Sequence, residues 1–405
     1  MPLPLQGTRV VDLSYGTAGP YCTRMLADYG ADIIKIEEPP GGDPARRMWP
    51  FYHDEPGLEK SGLFLFLNTS KRGMTLDIRT ERGKDILREL VRRADILIEG
   101  YKPGYMATLG LGYDVLSKIN PKLVMTSITN FGQSGPYLDW PEEDITIYGM
   151  GGDMIGSGDI ELEPLKTSGR MASFHVGYAA ALATAVALWQ VEQTGQGDWV
   201  DVSAFEVTMQ STDSRLLRLL GYQYDQVLPK REALHVQMGV GSGVYQCQDG
   251  LFMITAGPSM LDRVARMIGM EDLLEQPGWN TVAARSRPET AEEFDVYMVP
   301  WCLERTKRQV QEACIKHGVL GAPFNTVEDL VKDYGFAARG FFKSIEHPFT
   351  GTQVYPGYQF RLHGTGGPMP ARRPAPLLGQ HTKEVLMELG YKGEDVSRLR
   401  EQGVI

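Results

Sequence analysis

The chain has 405 residues, 42% of them hydrophobic and 23% charged, and a formal net charge of −10 at pH 7. Such a length is a prior for two or three domains with a substantial core. The acidity disfavours nucleic-acid binding, which calls for clustered Lys and Arg on one face, and Arg46-Arg47 and Arg372-Arg373 are too short to supply it.

No run of 18 apolar residues is present, so no membrane span is expected. The N-terminal MPLPLQGTRVVDLS lacks the pattern of a secretion signal. The four cysteines are scattered without a CxxC pair, as thiols in a reducing compartment would be, and a cytoplasmic location is expected.

Thr8 to Leu13 (TRVVDL) is β-branched and bounded by Gly7 and Ser14, which predicts a short buried strand. Gly16, Gly19 and Pro20 break it before a helical stretch, Tyr21 to Tyr29, closed by Gly30. Ala31 to Ile36 (ADIIKI) is a second strand. Strand, Gly-rich turn, helix and strand make a βαβ unit, which implies a parallel sheet with a right-handed crossover. Glu81 to Arg93 has helical spacing, Asp95 to Glu99 (DILIE) is a strand, Val115 to Ile119 a short helix and Lys122 to Ile128 a strand. An Ala-rich helix follows at Val176 to Glu192.

The alternation predicts the α/β class, with a Rossmann-like layer over residues 1–220. A Gly-rich patch at Met238 to Val244 and a hairpin at Tyr245 to Ile254, turning at Asp249-Gly250, mark a smaller α+β domain over 225–330. Residues 331–405 form a C-terminal segment ending in a helix, His381 to Leu389, closed by Gly390. Gly16, Gly19 and Pro20 lie where open α/β sheets place ligands. Their spacing is not GxGxxG, so no nicotinamide site is expected.

Five segments carry a family resemblance. They are LQGTRVVDLS with AGPYCTRMLADYGADIIKIE, LNTSKRGMTLDI (Leu67 to Ile78), FGQSGP (Phe131 to Pro136), TGQGDWVDVS (Thr194 to Ser203), and APLLGQHT (Ala375 to Thr382) with Glu384-Val385 and Leu389-Gly390-Tyr391. In this order they resemble the family III CoA-transferases, which include formyl-CoA transferase and the carnitine CoA-transferases. The resemblance implies a large Rossmann-like domain made from both chain ends, a small domain between, and two chains interlocked as rings. It also implies a coenzyme A thioester as substrate, with no metal and no nicotinamide. Thr17, Ala18, Lys71, Arg72 and Lys102 are the candidates for a vestigial CoA site.

In that family an Asp carboxylate attacks the acyl-CoA thioester, and CoA thiolate cuts the resulting mixed anhydride to an aspartyl-CoA thioester. An incoming acid then collects CoA by the reverse steps. Only a carboxylate alternates between anhydride and thioester. The family places this Asp four residues before a Gly of the Ala-rich helix. Here that Gly is Gly177, so Ser173 occupies the nucleophile position, and no Asp or Glu occurs between Glu163 and Glu192. A seryl ester is a poor donor of CoA, and His175 has no Asp in this segment to orient it. Ser173 therefore reads as an N-cap-like or merely small residue, and His175 as a partly buried histidine.

Other positions have drifted. Glu38 stands where formyl-CoA transferase carries an Arg for a CoA phosphate, Gly100 replaces an Asn, and Thr108 replaces a basic residue. Glu38 would repel a phosphate. The His-Asp pair of the related α-methylacyl-CoA racemases reads Glu143-Asp144, so racemization is not expected.

These features predict a non-catalytic subunit of a heterodimeric or heterotetrameric CoA-transferase, with a homologous Asp-bearing chain as its partner. The resemblance extends to two-gene systems that move CoA from succinyl-CoA to aromatic succinates. Six Trp and eighteen Tyr would suit an aromatic acid, and equally a sheet-rich core. The alternatives are an active homodimer with its nucleophile relocated to Asp153, Asp159 or Glu161, and a CoA-free scaffold.

Overall fold

Six short strands form one parallel sheet: β1 (Arg9–Asp12), β2 (Asp32–Glu37), β3 (Arg72–Thr75), β4 (Ile96–Glu99), β5 (Val124–Thr129) and β6 (Trp199–Ser203). Their order is β3-β2-β1-β4-β5-β6, and every neighbouring pair is parallel. The chain runs outward from β1 to β3 and returns to β4, so the order reverses between β1 and β4. The helices of this layer are α1 (Ala18–Asp28), α2 (Gly62–Leu67), α3 (Glu81–Arg92), α4 (Tyr105–Thr108), α5 (Tyr113–Ile119), α6 (Asp144–Met150), α7 (Met171–Thr194), α8 (Ala204–Gln210) and α9 (Asp213–Asp225).

The computed structural model describes residues 3–141, 143–210, 213–227, 231, 239–287, 289–365 and 372–405. It divides into a first unit of Met1–Met154, Lys166–Val227 and Gly340–Ile405, and a second of Ile155–Leu165 and Leu228–Arg339. Met238, the first residue of the expected Gly-rich patch, lies outside the described residues.

Strand alternation sets the two faces of the sheet. Val10 packs with Ile33, Ile96 and Val124 beneath Cys22 and Leu26 of α1 and Ala180 of α7. Its neighbour Val11 joins Met74 and Leu97 on the opposite face, against Ile86, Leu87 and Leu90 of α3. All four cysteines are buried, and burial pushes the Cys22 thiol up to about 12.

Three helices begin earlier than the sequence predicts, α5 at Tyr113 and not Val115, and α1 and α7 by more. α1 starts at Ala18 and not Tyr21, because Pro20 falls in the first turn, where its missing N–H costs nothing. α7 starts at Met171 and not Val176, so Ser173 is a helical residue of the first turn. Close approaches hold both starts near the end of β1. A Cβ on Gly19 would fall 2.2 Å from the Ser14 Cβ, and one on Gly177 would fall 2.7 Å from the Ala18 carbonyl oxygen. α7, at 24 residues, is long and apolar enough to cross a bilayer, although none was expected. Here it packs against α1, β5 and β6, leaving Tyr178, Leu182, Val186 and Trp189 exposed at helical spacing.

The second unit holds the antiparallel strands β7 (Gly243–Cys247), β8 (Gly250–Thr255) and β9 (Leu320–Pro323). The expected hairpin forms, with Cys247 paired to Gly250. Phe252, Phe294, Cys302 and Cys314 share its core. In the first unit, β10 (Lys343–His347) and β11 (Gly351–Tyr355) make a second hairpin. The C-terminal helix Thr382–Leu389 docks on β3, where Gly73 N–H donates to His381 Nδ1 and Thr75 N–H to Thr382 Oγ1, and the last helix, Gly393–Glu401, packs against it.

Candidate active site

The C-terminal ends of β1, β4 and β5 open into a cleft of about 610 Å³, at the reversal of strand order where open α/β sheets bind ligands. Ser14 to Gly19, Gly100 to Pro103 and Thr129-Asn130 line one side, and Asp144, Ile147, Arg170 and Ser173 the other. A second hollow of about 550 Å³ shares Ser14, Tyr15, Pro44, Tyr101 and Lys102 with it and extends to Glu38, Pro40 and Arg47. The two make one groove.

Buried charges beneath its rim fix the β1–α1 turn. Asp12 Oδ1 accepts from Ser14 N–H and Oγ–H at 3.0 and 2.5 Å, and Oδ2 accepts from Thr23 Oγ–H at 2.6 Å and from Lys71 Nζ at 3.1 Å. Lys35 Nζ meets Asp43 at 2.9 Å and the Ser14 carbonyl at 2.7 Å, while Asp43 Oδ1 accepts from Gly16 N–H. Burial acts to raise the Asp12 carboxyl, but Lys35 and Lys71, with Ser14 and Thr23, hold it below its ordinary value. Burial pulls the Lys71 ammonium down to about 8.

The expected CoA residues separate into two groups. Thr17 and Ala18 line the cleft at the start of α1, and Lys102 lines both halves of the groove. Lys71 and Arg72 line neither. The Lys71 ammonium points into the core, donating also to the Pro20 carbonyl, Thr23 and Asn68. Arg72 is clamped by Asp32, Glu384 and Glu388 at 2.7, 3.0 and 2.6 Å. Both are structural cations. Glu38 does face the outer groove, but Arg79 pairs with it, which the sequence reading did not foresee. Gly100 lines the cleft, whereas Thr108 ends α4 on the exposed surface.

Ser173 lies in the cleft wall but is not an N-cap; Arg170 holds that position. As a first-turn residue, Ser173 has a backbone N–H with no intrahelical acceptor. Asp144, the first residue of α6, takes it: its Oδ1 accepts the Ser173 N–H at 2.9 Å and the Ser173 Oγ–H at 2.7 Å. Asp144 Oδ2 meets Lys166 Nζ at 3.2 Å. A carboxylate thus stands beside the position where the nucleophile is missing, on another helix and 29 residues earlier. Its oxygens are engaged by three donors, and the serine hydrogen is committed to it.

Asp153, Asp159 and Glu161 do not line the cleft. Asp159 accepts the Glu161 N–H in a turn of the second unit. His175 is half-buried and also off the cleft. Sequence reasoning missed Asp144, Lys166 and Arg170 as site residues. The one available signal was the Glu143-Asp144 pair after the FGQSGP loop, and it was weighed only as a pair of racemase bases.

The sequence matches the profile of CoA-transferase family III over residues 5–382. It is 31% identical over 411 residues to the succinyl-CoA–L-malate CoA-transferase beta subunit of Chloroflexus aurantiacus, covering 100% of this chain and 98% of that one. It is 30% identical to the succinyl-CoA:(R)-benzylsuccinate CoA-transferase subunit BbsE of Thauera aromatica, covering 98% and 97%. Among solved structures, a CAIB/BAIF family protein from Brucella suis superposes with a TM-score of 0.85 at 30% identity, covering 96% of this chain and 100% of that one.

Proposed function

Because the chain belongs to CoA-transferase family III, we propose that it is the subunit without a nucleophile in a heteromeric enzyme that takes CoA from succinyl-CoA. A homologous, Asp-bearing partner supplies the attacking carboxylate and interlocks with this chain, in the cytoplasm. The observation that carries this reading is Ser173 in the nucleophile position, with its hydroxyl bonded to Asp144 at 2.7 Å. Two of its relatives are named as subunits, which supports a partner chain. The exposed apolar face of α7 supports it too, since contiguous apolar surface marks sites of association. Tyr15, Tyr101 and Trp140 along the groove suit a substituted, even aromatic, succinate as the acid that receives CoA.

A second reading is favoured by one observation: Asp144 is the carboxylate hydrogen-bonded to residue 173, and a relocated nucleophile would be that residue. Two substitutions in the copurified complex separate the readings. Ser173→Ala leaves kcat within about tenfold, since the charge-assisted hydrogen bond it loses braces Asp144 and takes no part in the transfer. Asp144→Asn leaves it within about tenfold if Asp144 only braces α7. A loss of roughly a thousandfold or more in Asp144→Asn places the nucleophile there, and a comparable loss in Ser173→Ala overturns both readings.

A further inference from the structure

We propose that His381 is an acid-sensitive latch: with its ring neutral it ties the C-terminal helices to the edge of the parallel sheet, and its protonation loosens them. The latch gives the APLLGQHT segment a role and does not depend on the transferase reading.

β3 is an end strand of the six-stranded sheet, so one of its edges has no strand to pair with. Bare N–H and C=O groups along such an edge invite pairing with other chains. Here the residues at the start of the helix Thr382–Leu389 cover them. Gly73 N–H donates to His381 Nδ1 at 3.0 Å, the His381 N–H donates back to the Gly73 carbonyl at 2.8 Å, and Thr75 N–H donates to Thr382 Oγ1 at 3.0 Å. Farther along, Asp77 N–H donates to the Val404 carbonyl at 2.8 Å. Val385 and Leu386 of this helix and Val396 and Leu399 of the last one are buried in the core against α3. The segment leading to the latch also braces the groove: the Pro376 carbonyl accepts from Arg46, and Leu378 N–H donates to Glu59, which pairs with Arg46.

An imidazole nitrogen accepts a hydrogen bond only in the neutral ring, here with the proton on Nε2. Protonation puts a second donor opposite the Gly73 N–H, and the bond becomes a donor–donor contact. Burial pulls His381 below its ordinary value. Glu384 on its own helix opposes that, while Arg373 from the preceding segment and Arg72 from β3 add to it. Folding therefore favours the neutral ring. The stability this gives is whole above the ordinary value of 6.5 and is lost as pH falls from there toward the lowered one. Because the apolar contacts remain, protonation changes how often the helices open and does not unfold them.

The test is hydrogen exchange read by mass spectrometry on the full chain, as it purifies alone or with a partner, from about pH 8 to about pH 5. Each rate is divided by the intrinsic rate at that pH. Protection of residues 72–77 and 382–401 should fall roughly tenfold across the range, the scale of one buried hydrogen bond. His381→Gln keeps an acceptor that does not titrate, so its protection should stay within about twofold. Glu384→Gln removes the carboxylate that favours the charged ring and should move the fall to lower pH. His347→Gln, at a buried histidine of the β10–β11 hairpin, should leave the fall as it is. Protection that does not change with pH in the unmodified chain overturns the proposal. So does a fall that persists in His381→Gln or disappears in His347→Gln.

Discussion

Purified alone, the chain transfers no CoA from succinyl-CoA to dicarboxylic acids, and copurified with an Asp-bearing homologue it forms an enzyme at least about a thousandfold more active. The size of the expected difference follows from covalent catalysis: deleting the group that forms the intermediate removes a step and not a fraction of one. Ser173 does not restore that step. Its hydroxyl hydrogen is held by Asp144, and an ester formed on it lacks the second electrophilic route that an anhydride gives a carboxylate. A matched thermal melt of the lone chain shows whether inactivity reflects chemistry or loss of fold. Turnover by the folded lone chain contradicts the subunit reading.

Replacing Lys71 by Met should cost about 3–5 kcal/mol, the penalty for stranding one member of a buried ion pair. Asp12 has no exposed surface and would keep its charge with one cation fewer, and Thr23, Asn68 and the Pro20 carbonyl would lose their common donor. Such a loss is a large share of the roughly 5–15 kcal/mol that holds a domain folded. The comparison is Lys102→Met, the same chemical change at a cation with no partner among the described residues. It should stay within about 0.5 kcal/mol. Denaturant melts of the two variants decide between them. A Lys71→Met protein as stable as the original would remove Lys71 from the core network and return it to the list of ligand residues.

Lys71 also shows where sequence reading stops. The parallel sheet was legible from β-branched segments separated by Gly-closed helices, because strand and helix periods are local properties. The contrast between Val10 and Val11 needs nothing beyond alternation. Strand β3 was hidden inside a segment read as a binding motif, and with it the reason the cations at its start exist: Lys71 meets Asp12 on β1, two strands away, and Arg72 meets Asp32 on the neighbouring β2. Long-range pairings of this kind carry no local signature. The substitution at position 173 could be read because its spacing to Gly177 lies within one helix. Its hydrogen bond to Asp144 could not, since that contact needs α6 laid against α7. The start of α7 was set too late because Arg170, with no side-chain cap hydrogen bond, is a poor N-cap by sequence.

The central claim is that the covalent intermediate forms on the partner chain. Incubating the copurified complex with succinyl-CoA, trapping the enzyme-bound thioester with hydroxylamine and mapping the modified peptide by mass spectrometry tests it directly. The account predicts a single hydroxamate, on an Asp of the partner chain, with residues 144–173 of this chain unmodified. A hydroxamate at Asp144 would contradict it and make this chain a transferase in its own right.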